Sequence, residues 1–306
     1  MLLNRPISIG YFINLIKYDI LVIFAYSSLS LIVHHYKFLH DVSIPISIAA
    51  IIGTLISLLL AFRTSQSYER WWEARIIWGS IVNDSRTLIR QLRQFLPEDE
   101  LAKAQIDQHI LSFKDRQIIW VYALGESLRK LPFSGQVTAY LDKHRLLDKN
   151  KLPSSNIPNL LLEKHSEELK QVANHYKLDP NKQVQLDSTL VRLTDAMGKC
   201  ERIKNTVFPK SYSVLIHFII YVFLTALPFG LEEVGDIPEM VVTMLIPLLF
   251  IMIEKTAILL QDPFENRPTD TPMTAIAVTI ENNLNQITDS ETAPKQLVDD
   301  DKYYSM

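Results

Sequence analysis

The sequence predicts an all-α membrane protein with four transmembrane helices and one large helical region outside the membrane. Residues 42–62 and 211–231 each contain 21 residues without an Asp, Glu, Lys or Arg, which is enough for a helix to cross a bilayer. Residues 20–36 and 240–253 are shorter uncharged stretches that complete two pairs. Inside lipid, a helix satisfies all of its own backbone hydrogen bonds, so we expect four helices.

The first apolar stretch is predicted to be a transmembrane helix and not a cleaved signal peptide. It is longer than the apolar core of a typical signal peptide, Asp19 borders it, and no small-residue cleavage site follows it. Residues 2–18 carry Arg5 and Lys17 among apolar side chains, which favours a short helix at the membrane interface; leader sequence lying on the membrane surface is the alternative.

The later spans contain small residues and prolines that affect helix packing. Gly53 and Ser57 are four residues apart, a small-xxx-small spacing that allows two helices to approach closely. Pro247 lies inside the fourth span and is expected to kink it. The fourth helix is expected to continue through Glu254 to residue 260 as it emerges into water or protein.

The 148-residue insertion between the two pairs is predicted to be mainly helical. Apolar residues recur at helical spacing over residues 69–95, 101–131 and 184–206. Prolines and serines predict a loop over residues 149–159. After residue 260, Pro263, Pro268 and Pro272 together with a polar tail predict that part of this segment is an extended arm and that the rest is disordered.

These patterns divide the chain into four segments. They are an N-terminal segment with two transmembrane helices (residues 1–62), a helical cytosolic region (63–210), two further transmembrane helices (211–260), and a C-terminal cytosolic arm and tail (261–306).

Charge distribution predicts the orientation in the membrane. The insertion holds 24 of the 31 Lys and Arg residues, whereas the connection over residues 232–239 has four acidic residues and no basic ones. Because cytoplasmic segments gather Lys and Arg, both termini and the insertion are placed in the cytoplasm. The single cysteine, Cys200, excludes an intrachain disulfide and suits a reducing compartment.

No motif of an enzyme is present in the sequence. The eight glycines form neither a phosphate-binding loop nor a dinucleotide-binding loop, and HExxH, GxSxG and CxxC are absent. We therefore predict that the protein is not an enzyme and has no cofactor.

Two groups of residues have side chains of the types that bind metal ions. Imidazoles and a carboxylate at His34, His35, His40 and Asp41 are zinc ligands by type, but interfacial polar residues have the same composition. The acidic run at residues 299–301 lacks the spaced ligands of a calcium loop. We expect no metal at either place.

The most unusual local sequence follows the second span. Three of the four tryptophans lie within residues 62–79, together with Tyr68 and with Arg70, Glu73 and Arg75. Aromatic residues beside basic ones are typical of a membrane interface. The density of both signs of charge further indicates a packed junction where a membrane helix enters a polar region.

Three motifs together resemble those of the bacterial bestrophin homologues. The first is Ser-Tyr-Glu-Arg-Trp-Trp-Glu-Ala-Arg at residues 67–75, with Ile-Trp-Gly at 77–79. The second is Cys-Glu-Arg-Ile-Lys-Asn-Thr-Val-Phe-Pro at residues 200–209. The third is Gln-Asp-Pro-Phe at residues 261–264, which departs from the family's Asn-Pro-Phe-Gly turn at Asp262 and Glu265.

This resemblance implies a bestrophin-like pentameric ion channel in which the second helix of each subunit lines an apolar pore neck. Counting back from the first motif assigns the neck to Phe62, Leu58 and Thr54, which lie on one helix face. Thr54 departs from the apolar pattern. Counting back from the second motif assigns a cytosolic constriction to Val184, with Leu186 as an alternative; an ordinary core valine is a further interpretation of Val184.

The resemblance also limits the partners. We expect a homopentamer in the bacterial inner membrane that contacts lipids and small monovalent ions, and binds no nucleic acid. Residues 265–270 contain too few carboxylates for the calcium site of animal members. Animal members pass anions and bacterial relatives can prefer cations, so chloride and sodium-type selectivity both remain open.

Two other functions fit the sequence. A secondary transporter is favoured by Pro247, because broken membrane helices often build substrate sites. A membrane-anchored signalling protein is the other, since the insertion is large enough to bind a partner. A stable pentamer favours the channel, whereas a monomer or dimer favours the alternatives.

Overall fold

The computed structural model describes residues 9–35, 44–97, 103–146, 156–206, 209–231, 235–290 and 293–295. Within these residues the chain forms helices and no strand, so the predicted all-α fold is confirmed. The helices are α1 (Ile9–His35), α2 (Ile46–Phe95), α3 (Lys103–Leu128), α4 (Gly135–Lys143), α5 (Ile157–His175), α6 (Pro180–Asn205), α7 (Lys210–Phe229), α8 (Asp236–Gln261) and α9 (Met273–Ile287).

Three of the described helices are long and apolar enough to cross a membrane. They are α2, α7 and α8. Helix α1 occupies the position expected for the first span, but it is not among these three, so the fourth transmembrane helix stays a prediction. The prediction of a separate interfacial helix over residues 2–18 was wrong for residues 9–18, which belong to α1. No glycine or proline interrupts residues 11–35, so the helix continues without a break.

The chain separates into two compact units. We call residues 4–71 and 207–262 the apolar unit, and we call the remainder, chiefly residues 72–206 and 263–306, the polar unit.

The apolar unit is held together by aliphatic and aromatic side chains from α1, α2, α7 and α8. Helices α2 and α7 approach closely at Gly53, where an added Cβ would lie 3.3 Å from Cε2 of Phe223. This contact agrees with the Gly53–Ser57 spacing. Pro247 lies inside α8, and the helix continues on both sides of it. The buried core of the unit includes Ile23, Ile56, Leu60, Ile216, Ile220, Phe223, Leu224 and Ile251.

The polar unit is built around α3, which packs against α4, α5, α6 and α9. The largest buried side chains of its core come from distant parts of the sequence, namely Trp78, Phe113, Trp120 and Phe264. Burial of such large side chains is the main source of stability in a unit of this kind, at about 25 cal/mol per Å² of apolar surface.

The prediction of an extended C-terminal arm was wrong over residues 273–287. These residues form α9, whose buried side chains Met273, Ile276, Ile280 and Leu284 recur every three or four positions. The loop prediction was also wrong at its end, because α5 begins at Ile157. The Asn156 side chain caps it by accepting a hydrogen bond from the Asn159 amide at 3.2 Å. Residues 149–155 and 299–301 lie outside the described residues.

Candidate functional site

The three residues predicted for the neck lie on an exposed face of α2. Thr54, Leu58 and Phe62 are all exposed, and Phe62 keeps 58% of its surface accessible. The opposite face of α2 is buried at Ile56 and Leu60. The structure therefore places the predicted residues together and leaves them uncovered by the described part of the chain.

The exposed face carries no charge between residues 51 and 62. Its one threonine, Thr54, donates its hydroxyl hydrogen to the Ala50 carbonyl oxygen at 2.8 Å. Because this donor is satisfied within the helix, the face offers water or lipid a nearly apolar surface.

The two candidates for the cytosolic constriction differ in burial. Val184 is 64% exposed on α6, and Val191, seven residues further on the same helix face, is also exposed. Leu186 is fully buried in the core of the polar unit. Leu186 is therefore wrong as a pore-lining alternative, and Val184 is not a core valine.

A buried group of charged and polar residues lies in the apolar unit. We call Arg63, Ser213, His217 and Glu254 the Glu254 cluster. Arg63 Nη1 is 2.7 Å from Glu254 Oε1, and Arg63 Nη2 donates to Ser213 Oγ at 2.8 Å. The exposed fractions of the Arg63 and Glu254 side chains are 1% and 0%.

Sequence reasoning missed this cluster. The sequence predicted that the fourth helix emerges into water or protein at Glu254, without a partner for the carboxylate; the carboxylate is buried in protein and joins three helices, α2, α7 and α8. The local signal was a carboxylate inside an apolar helix, because such a residue is costly in a membrane and usually has a partner. The partner, 191 residues away, is visible only in the fold.

The His217 side chain also contacts this carboxylate. Its Nδ1 lies 3.1 Å from Glu254 Oε1 and 3.1 Å from the Ser213 carbonyl oxygen. Both of these oxygens are acceptors, so Nδ1 carries a hydrogen in this arrangement. With 37% of its side chain exposed, His217 is far more accessible than Arg63 or Glu254.

A second cluster with the same residue types lies in the polar unit. We call Arg116, Glu168, Ser112 and His109 the Glu168 cluster. Arg116 Nη2 is 2.6 Å from Glu168 Oε2, Ser112 Oγ donates to the same oxygen at 2.9 Å, and His109 Nδ1 is 2.9 Å from Glu168 Oε1. Glu168, Ser112 and His109 line a cleft of about 770 Å³ between α3 and α5.

The three motifs that carry the family resemblance contact one another. Arg70 Nε of the first motif donates to the Gln261 carbonyl oxygen at 3.0 Å. Glu73 of the first motif pairs with Arg202 of the second at 2.5 Å. Lys204 of the second pairs with Glu265 of the third at 2.6 Å, and its hydrogen bond lowers the pKa of the Glu265 carboxyl. These motifs therefore act as structural connections in the fold.

The turn after α8 is closed by a buried carboxylate. Asp270 Oδ2 accepts hydrogen bonds from the backbone amides of Glu265 at 2.7 Å and Arg267 at 3.0 Å. Burial raises the pKa of Asp270 to about 6. The amides already occupy this oxygen, which is a structural role within the turn.

Metal and thiol chemistry have little support in the described part of the chain. It contains no group of three or more His, Cys, Asp or Glu side chains placed to hold a metal ion. The side chains of His34, His35, His40 and Asp41 lie outside the described residues. Cys200 is buried, and burial raises the pKa of its thiol to about 12, which keeps it protonated and unreactive.

Comparisons with known proteins identify the family. The bacterial/fungal bestrophin family model matches residues 7–286. A voltage-dependent anion channel-forming protein of Ralstonia nicotianae is 29% identical over 269 residues, which cover 87% of this chain and 85% of that protein. The voltage-dependent anion channel-forming protein YneE of Salmonella typhi is 31% identical over 257 residues, covering 83% of this chain and 80% of that protein.

A solved structure supports the same conclusion. The crystal structure of a bacterial bestrophin homologue from Klebsiella pneumoniae aligns with a TM-score of 0.77 and 28% identity, covering 90% of this chain and 100% of that one. The predicted resemblance is confirmed, as is the prediction of an ion channel rather than an enzyme. The chain is a membrane protein that belongs to the bacterial/fungal bestrophin family.

Proposed function

We propose that the protein is a homopentameric channel that passes small monovalent ions across the bacterial inner membrane. The exposed, uncharged face of α2 carries the proposal, because it presents Thr54, Leu58 and Phe62 in one line. Five copies of this face around a common axis would form three stacked rings. Residues four apart are separated by about 6 Å along a helix, so the rings would form a neck roughly 12 Å long.

The neck would control ion passage by excluding water. Leu58 and Phe62 are apolar, and an apolar constriction gates a pore by dewetting. Phe62 is the bulkiest of the three residues, so we assign the narrowest ring to it. Thr54 would form the most polar ring, since its oxygen keeps acceptor capacity while its hydrogen is bonded to Ala50.

The names of the relatives favour anions as the permeant ions. The Ralstonia and Salmonella proteins are named as voltage-dependent anion channel-forming proteins. The proposed neck carries no charge of its own, so nothing in it opposes an anion such as chloride. A sodium-type selectivity is the alternative, and a reversal potential distinguishes the two.

A second constriction is proposed at Val184. The exposed Val184 and Val191 give α6 an apolar line on a helix that is otherwise largely polar on its outer face. A ring of Val184 side chains would narrow a pore without fixing the sign of the ion. Its side chain is smaller than that of Phe62, so Val184→Ala is expected to change the current less than Phe62→Ala.

The orientation follows from charge. The insertion over residues 63–210 carries 24 of the 31 basic residues, so we assign the polar unit, which contains most of it, and both termini to the cytoplasm. The apolar unit, with α2, α7 and α8, is assigned to the membrane.

The test is ionic current from purified protein in planar bilayers under a KCl gradient. We expect discrete currents in the wild type and a larger conductance in Phe62→Ala, because the narrowest ring is widened. Phe218→Ala is the matched control, since Phe218 is an equally exposed phenylalanine on α7. An unchanged current in Phe62→Ala, or no current from folded and inserted wild type, would contradict the proposal.

Native mass spectrometry of the detergent-solubilised protein tests the stoichiometry. A pentamer is expected, and a stable monomer or dimer would favour a transporter or a signalling protein. Pro247 gives the transporter no further support, because α8 continues as one helix through it from Asp236 to Gln261.

A further inference from the structure

We propose that Arg63 and Glu254 are positioning residues for the neck, and that protonation of His217 weakens the ion pair between them. The buried ion pair fixes the rotation of α2 in the apolar unit and thereby the direction of Phe62. This inference rests on the proposed function, since it assigns a regulatory connection to the same neck.

Arg63 and Phe62 are adjacent residues on α2. Consecutive residues on an α-helix point about 100° apart around its axis. Phe62 is therefore directed to the exposed side of α2 while Arg63 is directed into the apolar unit, where only 1% of its side chain is exposed. Because a helix turns as a rigid body, whatever fixes the direction of Arg63 also fixes the direction of Phe62.

The Arg63 guanidinium contacts two other helices. Arg63 donates to α8 through Glu254 Oε1 at 2.7 Å and to α7 through Ser213 Oγ at 2.8 Å. The guanidinium is planar and its donors have fixed directions, so contacts with two helices define one orientation of α2.

Apolar contacts alone would hold the rotation of α2 only weakly. In a membrane, aliphatic faces have little preference between a neighbouring helix and lipid, so they resist rotation weakly. Rotation of α2 would separate Arg63 from Glu254 and break a buried ion pair, which is strongly unfavourable. The pair therefore contributes to the specificity of the α2 orientation more than to net stability.

Arg63 and His217 share one carboxylate oxygen of Glu254. Glu254 Oε1 faces both Arg63 Nη1 at 2.7 Å and His217 Nδ1 at 3.1 Å. A second proton on His217 would enter at Nε2 and make the ring a cation that competes with Arg63 for the same carboxylate. Acid is therefore expected to weaken the contact that fixes α2.

Other charged groups near this site belong to α1 and α8. Lys255 follows Glu254 on α8 and pairs with Asp19 of α1 at 3.3 Å. Neither of these two residues comes from α2. Their ion pair therefore provides a matched control, in which a neighbouring charge pair is broken without touching the proposed connection to Phe62.

The experiment compares bilayer currents of Arg63→Gln, Glu254→Gln, the charge exchange Arg63→Glu with Glu254→Arg, and the control Lys255→Gln. We expect each single Gln variant to change the current by roughly tenfold, which corresponds to about 1.4 kcal/mol of lost orientational preference. The exchange is expected to restore most of the wild-type current, and Lys255→Gln to leave it unchanged. Single variants that behave as the wild type, or an exchange that stays as impaired as they are, would overturn the proposal.

The pH profile provides a second measurement that does not depend on removing the ion pair. Between pH 8 and pH 5, the wild-type current is expected to shift in the same direction as in Glu254→Gln. His217→Gln is expected to conduct like the wild type at pH 8 and to lose this shift, whereas an unchanged acid response in His217→Gln would overturn the proposal. If the wild type carries no current, or Phe62→Ala leaves it unchanged, the proposed function itself fails.

Discussion

The apolar and polar units each contain a cluster of one arginine, one glutamate, one serine and one histidine. The arginine–glutamate distances are nearly equal, 2.7 Å in the Glu254 cluster and 2.6 Å in the Glu168 cluster. The surroundings differ. Arg63 and Glu254 are 1% and 0% exposed, whereas Arg116 and Glu168 are 9% and 13% exposed beside a cleft of about 770 Å³.

The difference shows that an ion pair of the same residue types contributes differently to stability when it is fully buried than when it lies beside a water-accessible cleft. Water in the cleft can reach Glu168, Ser112 and His109, which line it, and can screen the Glu168 charge, while Arg116 lines a smaller pocket of about 160 Å³. The Glu254 cluster has no such access at its ion pair, so both charges depend on each other. Similar contact distances in two clusters are therefore a poor measure of how much each contact contributes to stability.

Removing one carboxylate from each cluster is expected to give the largest contrast. Glu254→Gln leaves Arg63 as a buried cation and should lower the free energy of unfolding by about 3–5 kcal/mol. Glu168→Gln leaves Arg116 beside a small pocket with the Lys164 carbonyl oxygen and Ser112 Oγ as acceptors, and should lower the free energy of unfolding by about 1–3 kcal/mol. Thermal unfolding midpoints in detergent measure both variants, and equal losses would contradict the assigned role of solvent.

A third buried carboxyl sharpens the comparison, because Asp270 in the polar unit is held by backbone amides. Its pKa is about 6 in the folded protein, above the value of about 4 for a solvated aspartate. The fold therefore stabilises the neutral carboxyl. The resulting contribution to the free energy of unfolding is fully present below about pH 4 and is lost as pH rises through about 6.

Titration of Asp270 is expected to lower the free energy of unfolding by up to about 2–3 kcal/mol between pH 4 and pH 7. Asp270→Asn keeps an acceptor for the two amides and removes the titration. The difference in unfolding midpoint between wild type and Asp270→Asn should therefore change across this interval in favour of the variant at higher pH. A difference that is constant with pH would contradict the assignment.

Replacing both members of each ion pair is expected to give the smallest change in stability. Arg63→Met with Glu254→Leu removes both buried charges and should return stability to within about 1–2 kcal/mol of the wild type. The current should stay altered, because the orienting contacts of α2 are lost. Recovery of both stability and current would contradict the positioning role, and Arg116→Met with Glu168→Leu is the matched control.

Much of the fold was predictable because membrane helices leave a strong signal. The uncharged stretches at residues 42–62 and 211–231 correspond to parts of α2 and α7. Helix α9 was missed although Met273, Ile276 and Ile280 are spaced for a helix, because the prolines before it suggested an irregular arm.

The candidate site was predictable only in part. The line of Thr54, Leu58 and Phe62 follows from helical spacing once the resemblance is recognised, but their exposure requires the fold. A single sequence does not show which residues pair over long separations, so the contact between Arg63 and Glu254 was missed. The choice between Val184 and Leu186 likewise depends on burial.

The most direct test of a pore lined by α2 is block of the current by a thiol reagent. Cys200 is buried with a raised pKa, so the wild type provides an unreactive background. A charged methanethiosulfonate applied to Phe62→Cys is expected to reduce the current, whereas Val214→Cys, at an exposed position on α7, should be unaffected. No block in Phe62→Cys, or equal block in both variants, would contradict a pore lined by this face of α2.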